Sequence, residues 1–138
     1  GQQRWQGSVR VFEDYGTRNL PALMAMGDAL QFQQQLGSAR KLQRYRYLRR
    51  QAMAMVDADK RLVWRSPRDE QLGGSLFAVG LRDGQADVIA QHLFQQHSVV
   101  VRPFATPGLN SLRVSPNVFN STRELQQFMQ LAVSQALV

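Results

Sequence analysis

The stretch SLRVSPNVFNS, residues 111–121, decides how the C-terminal half of this chain folds. Leu112 and Val114 alternate with polar residues, so a short strand here would bury both aliphatic side chains on one face. Arg113 would then lie between two serines on the other face. The pattern therefore predicts a strand that turns one guanidinium group away from the core.

The residues after this strand end it and begin a helix. Pro116 has no N–H to donate to a sheet and Asn117 favours a turn. Ser121 and Glu124 have the S-x-x-E spacing of a capping box, which marks a helix start. The following apolar residues recur on one helical face, namely Leu125, Phe128, Met129, Ala132, Val133, Ala136 and Leu137. The sequence predicts an amphipathic C-terminal helix whose apolar face packs on a core.

Apolar periodicity and turn residues predict the earlier elements. Two helices come first, from about Ala22 to Leu36 and from Ser38 to about Ala58, with Gly37 between them as a C-cap. Short strands and one helix follow at residues 61–64, 75–81, 85–96 (the helix) and 98–102. We expect an α+β fold in which two helices precede a small, mostly antiparallel sheet that helices cover on one face.

Composition limits the function classes. The 138 residues are 43% hydrophobic and 20% charged, as in one ordinary folded domain. The chain begins with Gly1 and not Met, so we expect a processed or excised piece. No apolar run reaches transmembrane length. The absence of cysteine excludes disulfides, cysteine-bound zinc or iron–sulfur sites and a thiol nucleophile.

The net charge of +7 comes mainly from arginine, because only Lys41 and Lys60 among the 17 basic residues are lysines. Arginine suits pairing with carboxylates, phosphates or nucleic acid. One face of the second predicted helix carries a basic stripe formed by Arg40, Lys41, Arg44, Arg46 and Arg50. We favour a solvated helix face that packs its arginine stems on a neighbour, and the alternative is a nucleic-acid-binding helix from Arg40 to Arg50.

Groups that could perform catalysis are scarce in the chain. His92 and His97 are five residues apart, which is the wrong spacing for a ligand pair on one helix face, so no metal site is expected. No glycine-rich phosphate loop is present, and the two lysines lie in charged surroundings. Arg113 is the exception, because an arginine flanked by small hydroxyl residues suits bidentate carboxylate recognition. The alternative is an ordinary exposed arginine on an edge strand.

Three blocks of the sequence together resemble the C-terminal portion of class V aminotransferases. They are the YGTRN segment at residues 15–19 before a helix that Pro21 initiates, the long helix from Ser38, and the R-x-S-x-x-x-x-N-S block at residues 113–121 with Glu124. The closest similarity is to the isopenicillin-N-epimerase-like branch, which is related to cysteine desulfurases. The resemblance covers essentially the whole chain and implies a pyridoxal-phosphate enzyme of fold type I, usually a homodimer.

The resemblance implies roles for particular residues. Arg113 matches the arginine that holds the α-carboxylate of an amino-acid substrate. Gly16 and Thr17 match the loop that reaches the cofactor phosphate across the dimer interface, and Arg18 and Asn19 lie near that site. No catalytic residue falls in this chain, because the family's cofactor-binding lysine, its aspartate and its ring-stacking residue belong to a large domain before Gly1.

The resemblance also implies a domain organisation. Residues 1–37 would be a junction segment and helix toward the missing large pyridoxal-phosphate-binding domain, and residues 38–138 a small C-terminal α/β domain that includes the bridging helix. The isolated chain would then bind no cofactor, and nucleic acid would not be its partner. A cytoplasmic location is expected, with export to the periplasm as the alternative. Residues 116–119 depart from the family's aromatic-Tyr-Asn-Thr pattern, so the reaction and the substrate stay open.

Overall fold

The structure is a computed structural model that describes residues 7–13 and 16–135 of the chain. It divides into two compact units, with the boundary between Gly37 and Ser38. Tyr15 and the last two residues of the predicted apolar helix face, Ala136 and Leu137, lie outside the described residues.

The described elements form an α+β fold, which confirms the predicted fold class. In chain order, the helices are α1 (Leu20–Leu36), α2 (Ser38–Ala58), α3 (Ala86–His97) and α4 (Thr122–Gln135). The strands are β1 (Leu62–Trp64), β2 (Phe77–Leu81), β3 (Arg102–Phe104) and β4 (Ser111–Val114). Short 3-10 helices occupy Val9–Glu13 and Glu70–Leu72.

Helix α1 belongs to the first unit, and local sequence signals set its ends. Asn19 caps its start, because its side-chain oxygen accepts the Ala22 N–H at 3.1 Å, and Pro21 occupies the first turn. Gly37 ends it with a φ of +80°, a value that glycine adopts without strain. None of the α1 side chains is buried, and its exposed apolar residues are Leu20, Leu23, Met24, Met26, Leu30 and Phe32.

The second unit is built on a sheet with the strand order β1-β2-β4-β3, in which every neighbouring pair is antiparallel. Alternate strand residues face α2, α3 and α4 and form the core with them; those strand residues include Leu62, Phe77, Val79, Leu81, Leu112 and Val114. The predicted burial of Leu112 and Val114 is therefore confirmed. The opposite face of β4 carries Ser111 and Arg113.

The strand predicted at Ser98–Arg102 is wrong. Ser98 adopts a left-handed conformation and caps α3, and the Val99 N–H donates to the carbonyl oxygen of Leu93 at 3.0 Å, so helix termination uses these residues. Val100 is 79% exposed. The strand lies instead at Arg102–Phe104, where Pro103 is tolerated because β3 is an edge strand of the sheet.

Helix α4 begins as predicted. The Ser121 N–H donates to Glu124 Oε2 at 2.6 Å, and the Glu124 N–H donates to Ser121 Oγ at 3.2 Å, which is the reciprocal geometry of a capping box. The Ser121 backbone N–H, followed by its hydroxyl, lowers the pKa of Glu124 below the usual value for glutamate. Leu125, Phe128 and Met129 are buried on the core side of the helix.

Candidate functional site

Strand β4 holds Arg113 in the interior of the sheet, between β2 and β3. Arg113 is directly opposite Ala78 on β2 and Arg102 on β3. Its side chain is half-buried, and its Nε is shielded from solvent without a hydrogen-bond partner. Arg46 Nε, Arg49 Nε and Ser111 Oγ are also shielded without a partner, so this property alone does not single out Arg113. Arg113 is the site candidate because, unlike those three residues, it also lines a cavity.

Small residues surround Arg113 on this face of the sheet. Ala78 is opposite it, and the neighbouring cross-strand pair is Gly80 with Ser111. A Cβ built on Gly80 would lie 2.8 Å from Nε of Arg65, so the absence of a side chain at Gly80 makes room for that arginine. On this face of the sheet, the small residues Ala78, Gly80 and Ser111 therefore leave space for the long side chains of Arg65 and Arg113.

Ser111 lies on the same face of β4 as Arg113, as the alternation predicts, but it is not exposed to solvent. It is only 1% exposed, and its hydroxyl has no hydrogen-bond partner. Arg113 is thus flanked by one buried serine and by the exposed Ser115, not by two exposed serines. The alternation of the strand was predicted correctly, but alternation alone does not show whether the second face is covered.

A surface cavity of about 670 Å³ lies beside Arg113. Its lining consists of Val100, Val101, Arg102, Pro103, Arg113 and Ser115. None of these residues is acidic, and two of them carry guanidinium groups. The cavity therefore combines an apolar wall with a positive end, which suits a small organic anion.

Contacts from helix α2 hold the loop that follows Arg113. Arg44 donates from Nε to the Val118 carbonyl oxygen at 3.3 Å and from Nη2 to the Asn120 carbonyl oxygen at 2.7 Å. The Tyr45 hydroxyl lies 3.0 Å from Asn117 Oδ1, to which it donates. The loop connecting β4 to α4 is thereby fixed relative to α2.

Part of the basic stripe predicted on α2 makes contacts within the protein. Arg44 binds the loop just described, Arg50 forms an exposed ion pair with Glu70 at 2.8 Å, and Nε of Arg46 is shielded from solvent without a hydrogen-bond partner. Arginines that hold the fold together are less available to phosphates than a solvated row would be. These contacts favour the packing interpretation over nucleic-acid binding.

Sequence reasoning missed Arg49, which is 2% exposed. Its guanidinium carbon lies 5.1 Å from the centre of the Trp64 ring, and Nη2 donates to the Pro67 carbonyl oxygen. A signal was present, because position 49 has helical spacing to the buried Ala52 and Val56 and so falls on the apolar face. Arg49 is a buried structural cation outside the cavity beside Arg113.

The other predicted site residues, Gly16 to Asn19, lie in the first unit. Gly16 has a φ of +87°, and a Cβ built on it would meet nothing within 4 Å. Thr17 is exposed. Asn19 has an observed role, since its side chain caps α1. Arg113 lies in the second unit, and the residue that the structure places beside it, Arg102, was not predicted.

Two kinds of feature are absent among the described residues, namely a group of metal-binding side chains and a membrane-spanning helix. Across residues 7–13 and 16–135, no group of three or more histidine, cysteine, aspartate or glutamate side chains could hold a metal ion. None of the helices within those ranges is long and apolar enough to cross a membrane.

Comparison with known proteins adds information on the fold. No protein-family model matches the chain, and no curated protein matches it in sequence. The structure is similar to an apo structure of cysteine desulfurase from Thermococcus onnurineus NA1, with a TM-score of 0.71 and 23% sequence identity. The match covers 89% of this chain but only 32% of that one. This chain thus has the fold of about one third of a cysteine desulfurase.

Proposed function

We propose that this chain is the C-terminal, substrate-carboxylate-binding portion of a pyridoxal-phosphate-dependent enzyme of the class V aminotransferase type, acting on an amino acid. The observation that carries the proposal is Arg113, a half-buried arginine that lines a cavity with no acidic residue in its wall. The similarity to a third of a cysteine desulfurase supports the same assignment.

Arg113 would act by binding and orienting. Its planar guanidinium group offers paired N–H donors that match the two oxygens of a carboxylate. Because β4 is an interior strand and the following loop is held by Arg44, the backbone that carries this group is fixed before the substrate arrives. A fixed carboxylate restricts the orientation of the substrate's α-carbon, which lowers the entropic cost of reaching the transition state.

In this proposal, Gly16 and Thr17 supply part of a cofactor site. Gly16 leaves its backbone open to close approach, and the exposed Thr17 hydroxyl can donate to a phosphate oxygen. Bound pyridoxal phosphate would supply the electron-withdrawing ring that stabilises negative charge at the substrate's α-carbon. Lys60 is exposed and Lys41 lies on α2 among arginines, so the lysine that binds the cofactor would come from a preceding domain.

The partners in this proposal are a large domain and a second copy of the chain. Helix α1 exposes its apolar side chains on every side, and such a helix needs a packing partner in water. A preceding large domain would cover them, and a homodimer would bring Gly16 and Thr17 to the cofactor phosphate.

The test joins the chain to the coding sequence that precedes it in its gene. We expect the purified protein to carry pyridoxal phosphate, which absorbs visible light. Amino acids should shift this absorbance. The matching amino-acid amides, which lack a carboxylate, should shift it far less. Arg113→Ala should raise the amino-acid concentration needed for half of the absorbance shift by about 10- to 100-fold, and it should leave the concentration needed for the amides unchanged. Arg82→Ala is the control, because it removes an exposed arginine that donates to the Lys60 carbonyl oxygen. Protein without cofactor, or equal responses to acids and amides, would refute the proposal.

A further inference from the structure

Two arginines face each other across the edge of the sheet. Arg102 on β3 is directly opposite Arg113 on β4, so their side chains leave the same face and their Cβ atoms are neighbours. Like charges directly opposite each other destabilise a strand pair. Two arginines directly opposite each other are therefore expected where a bound anion neutralises their positive charges.

No carboxylate of the protein provides this neutralisation within the described ranges. The ion pairs there include those of Arg50 with Glu70, Arg61 with Asp59 and Arg68 with Asp57, and neither Arg102 nor Arg113 takes part in one. Glu124 lines the adjoining cavity, and it already accepts from the Ser121 N–H and hydroxyl. Two positive charges therefore converge on one cavity, and none of the described acidic residues lines it.

We infer that the cavity between Arg102 and Arg113 binds a dicarboxylate, with one carboxylate on each arginine. This inference rests on the proposed function, since it gives Arg113 the α-carboxylate and makes Arg102 the residue that selects a second, distal acid group. The substrate class is then an acidic amino acid or its 2-oxo acid.

The two arginines differ in a way that suits these two tasks. Arg113 is half-buried on an interior strand, whereas Arg102 is exposed on the edge strand at the cavity's rim. Val100 and Val101 line the same cavity and provide an apolar surface for the carbon chain between two acid groups. A single carboxylate would balance only one of the two guanidinium charges.

General attraction between anions and a chain of net charge +7 is the competing explanation, and Arg65 provides the control. Arg65 lies beside Ala78, the residue opposite Arg113, because the backbone N–H of Arg65 donates to the carbonyl oxygen of Ala78 at 3.0 Å. Arg65 does not line the cavity. Arg65→Gln and Arg102→Gln remove the same charge from the same face of the sheet. Only Arg102→Gln changes the cavity.

The experiment titrates the 138-residue chain with succinate and with butyrate, which has the same number of carbons and one carboxylate. Binding is followed by the NMR signals of the backbone amides and of the arginine Nε–H groups at constant ionic strength. We expect succinate to bind about tenfold more tightly than butyrate and to shift the Nε–H signals of both arginines. Arg102→Gln should abolish this preference and leave butyrate binding intact, whereas Arg65→Gln should preserve it.

Equal affinities for the two acids, a preference that survives Arg102→Gln, an equal loss in Arg65→Gln, or no binding of either probe would each overturn the inference. Failure of the proposed function has a different signature. In that case the cofactor is absent from the longer protein, or butyrate still binds after Arg113→Gln. The amide spectra of the variants also report whether each one is folded.

Discussion

Replacing Gly73 by alanine should destabilise the second unit through a contact with the buried Arg49. A Cβ built on Gly73 would lie 2.5 Å from Cζ and 2.6 Å from Nε of Arg49, which is closer than real Cβ contacts come. The backbone is not the obstacle, because Gly73 has φ −120° and ψ 128°, a region open to alanine. The guanidinium group must therefore move.

The cost follows from what Arg49 would lose. An exposed arginine could swing away freely, but this one is enclosed, stacks on Trp64 and donates to the Pro67 carbonyl oxygen. A hydrogen bond from a charged group contributes about 1.5–3 kcal/mol, and a cation–π contact about 0.5–2 kcal/mol. Losing most of both gives about 2–4 kcal/mol. The alanine recovers about 0.4–1 kcal/mol by restricting the unfolded chain, so the net loss is about 1–3 kcal/mol.

Gly74→Ala is the matched control. A Cβ built on Gly74 would meet nothing within 4 Å, so this variant should keep only the small gain from the unfolded chain. Urea denaturation followed by circular dichroism gives both free energies of unfolding, and Gly73→Ala should be less stable than Gly74→Ala by about 2–4 kcal/mol. The penalty should shrink in an Arg49→Met background, as a double-mutant cycle would measure. Equal stabilities for the two alanine variants would show that the contact with Arg49 does not restrain the fold.

Two further predictions concern single hydrogen-bonded groups. Ser121→Ala should lower the free energy of unfolding by about 1 kcal/mol, because it removes the hydroxyl that accepts from the Glu124 N–H, while Ser134→Ala in the same helix should change it far less in the same urea assay. Hydrogen bonds from the side chain and backbone of Arg61 lower the pKa of Asp59 from 3.8 to about 2, so the folded state is favoured above pH 4 and this contribution disappears as the pH falls toward 2. NMR titration of the Asp59 carboxyl group checks the value; a pKa near 4 would contradict it, and Asp59→Asn should flatten the acid dependence of stability between these pH values.

Local sequence signals predicted most of the second unit because each one has a local physical cause. The capping box at Ser121 and Glu124 and the apolar face of α4 depend on neighbours within four residues. Ser38–Ala58 formed the predicted helix over its full length. Strand alternation likewise identified the buried face of β4 before any partner strand was known.

The misses concern contacts between residues distant in the chain. The valines after Ser98 have strand propensity, yet the end of α3 uses their backbone, and the strand begins only at Arg102. The burial of Arg49 depends on the loop that contains Pro67 and Gly73, and the burial of Ser111 depends on what covers the sheet. Arg102 lies opposite Arg113 because of the register between β3 and β4, and this register cannot be read from the sequence of either strand alone.

The composition of β3 also bears on how the protein behaves at high concentration. An unpaired sheet edge is a template on which a strand from another molecule can add, and such additions lead to aggregates. This edge is three residues long, begins with a charged side chain and has at its centre Pro103, which has no N–H to offer. An incoming strand would find few hydrogen-bonding groups and an unfavourable charge there, so β3 protects the chain from edge-to-edge association on this side of the sheet.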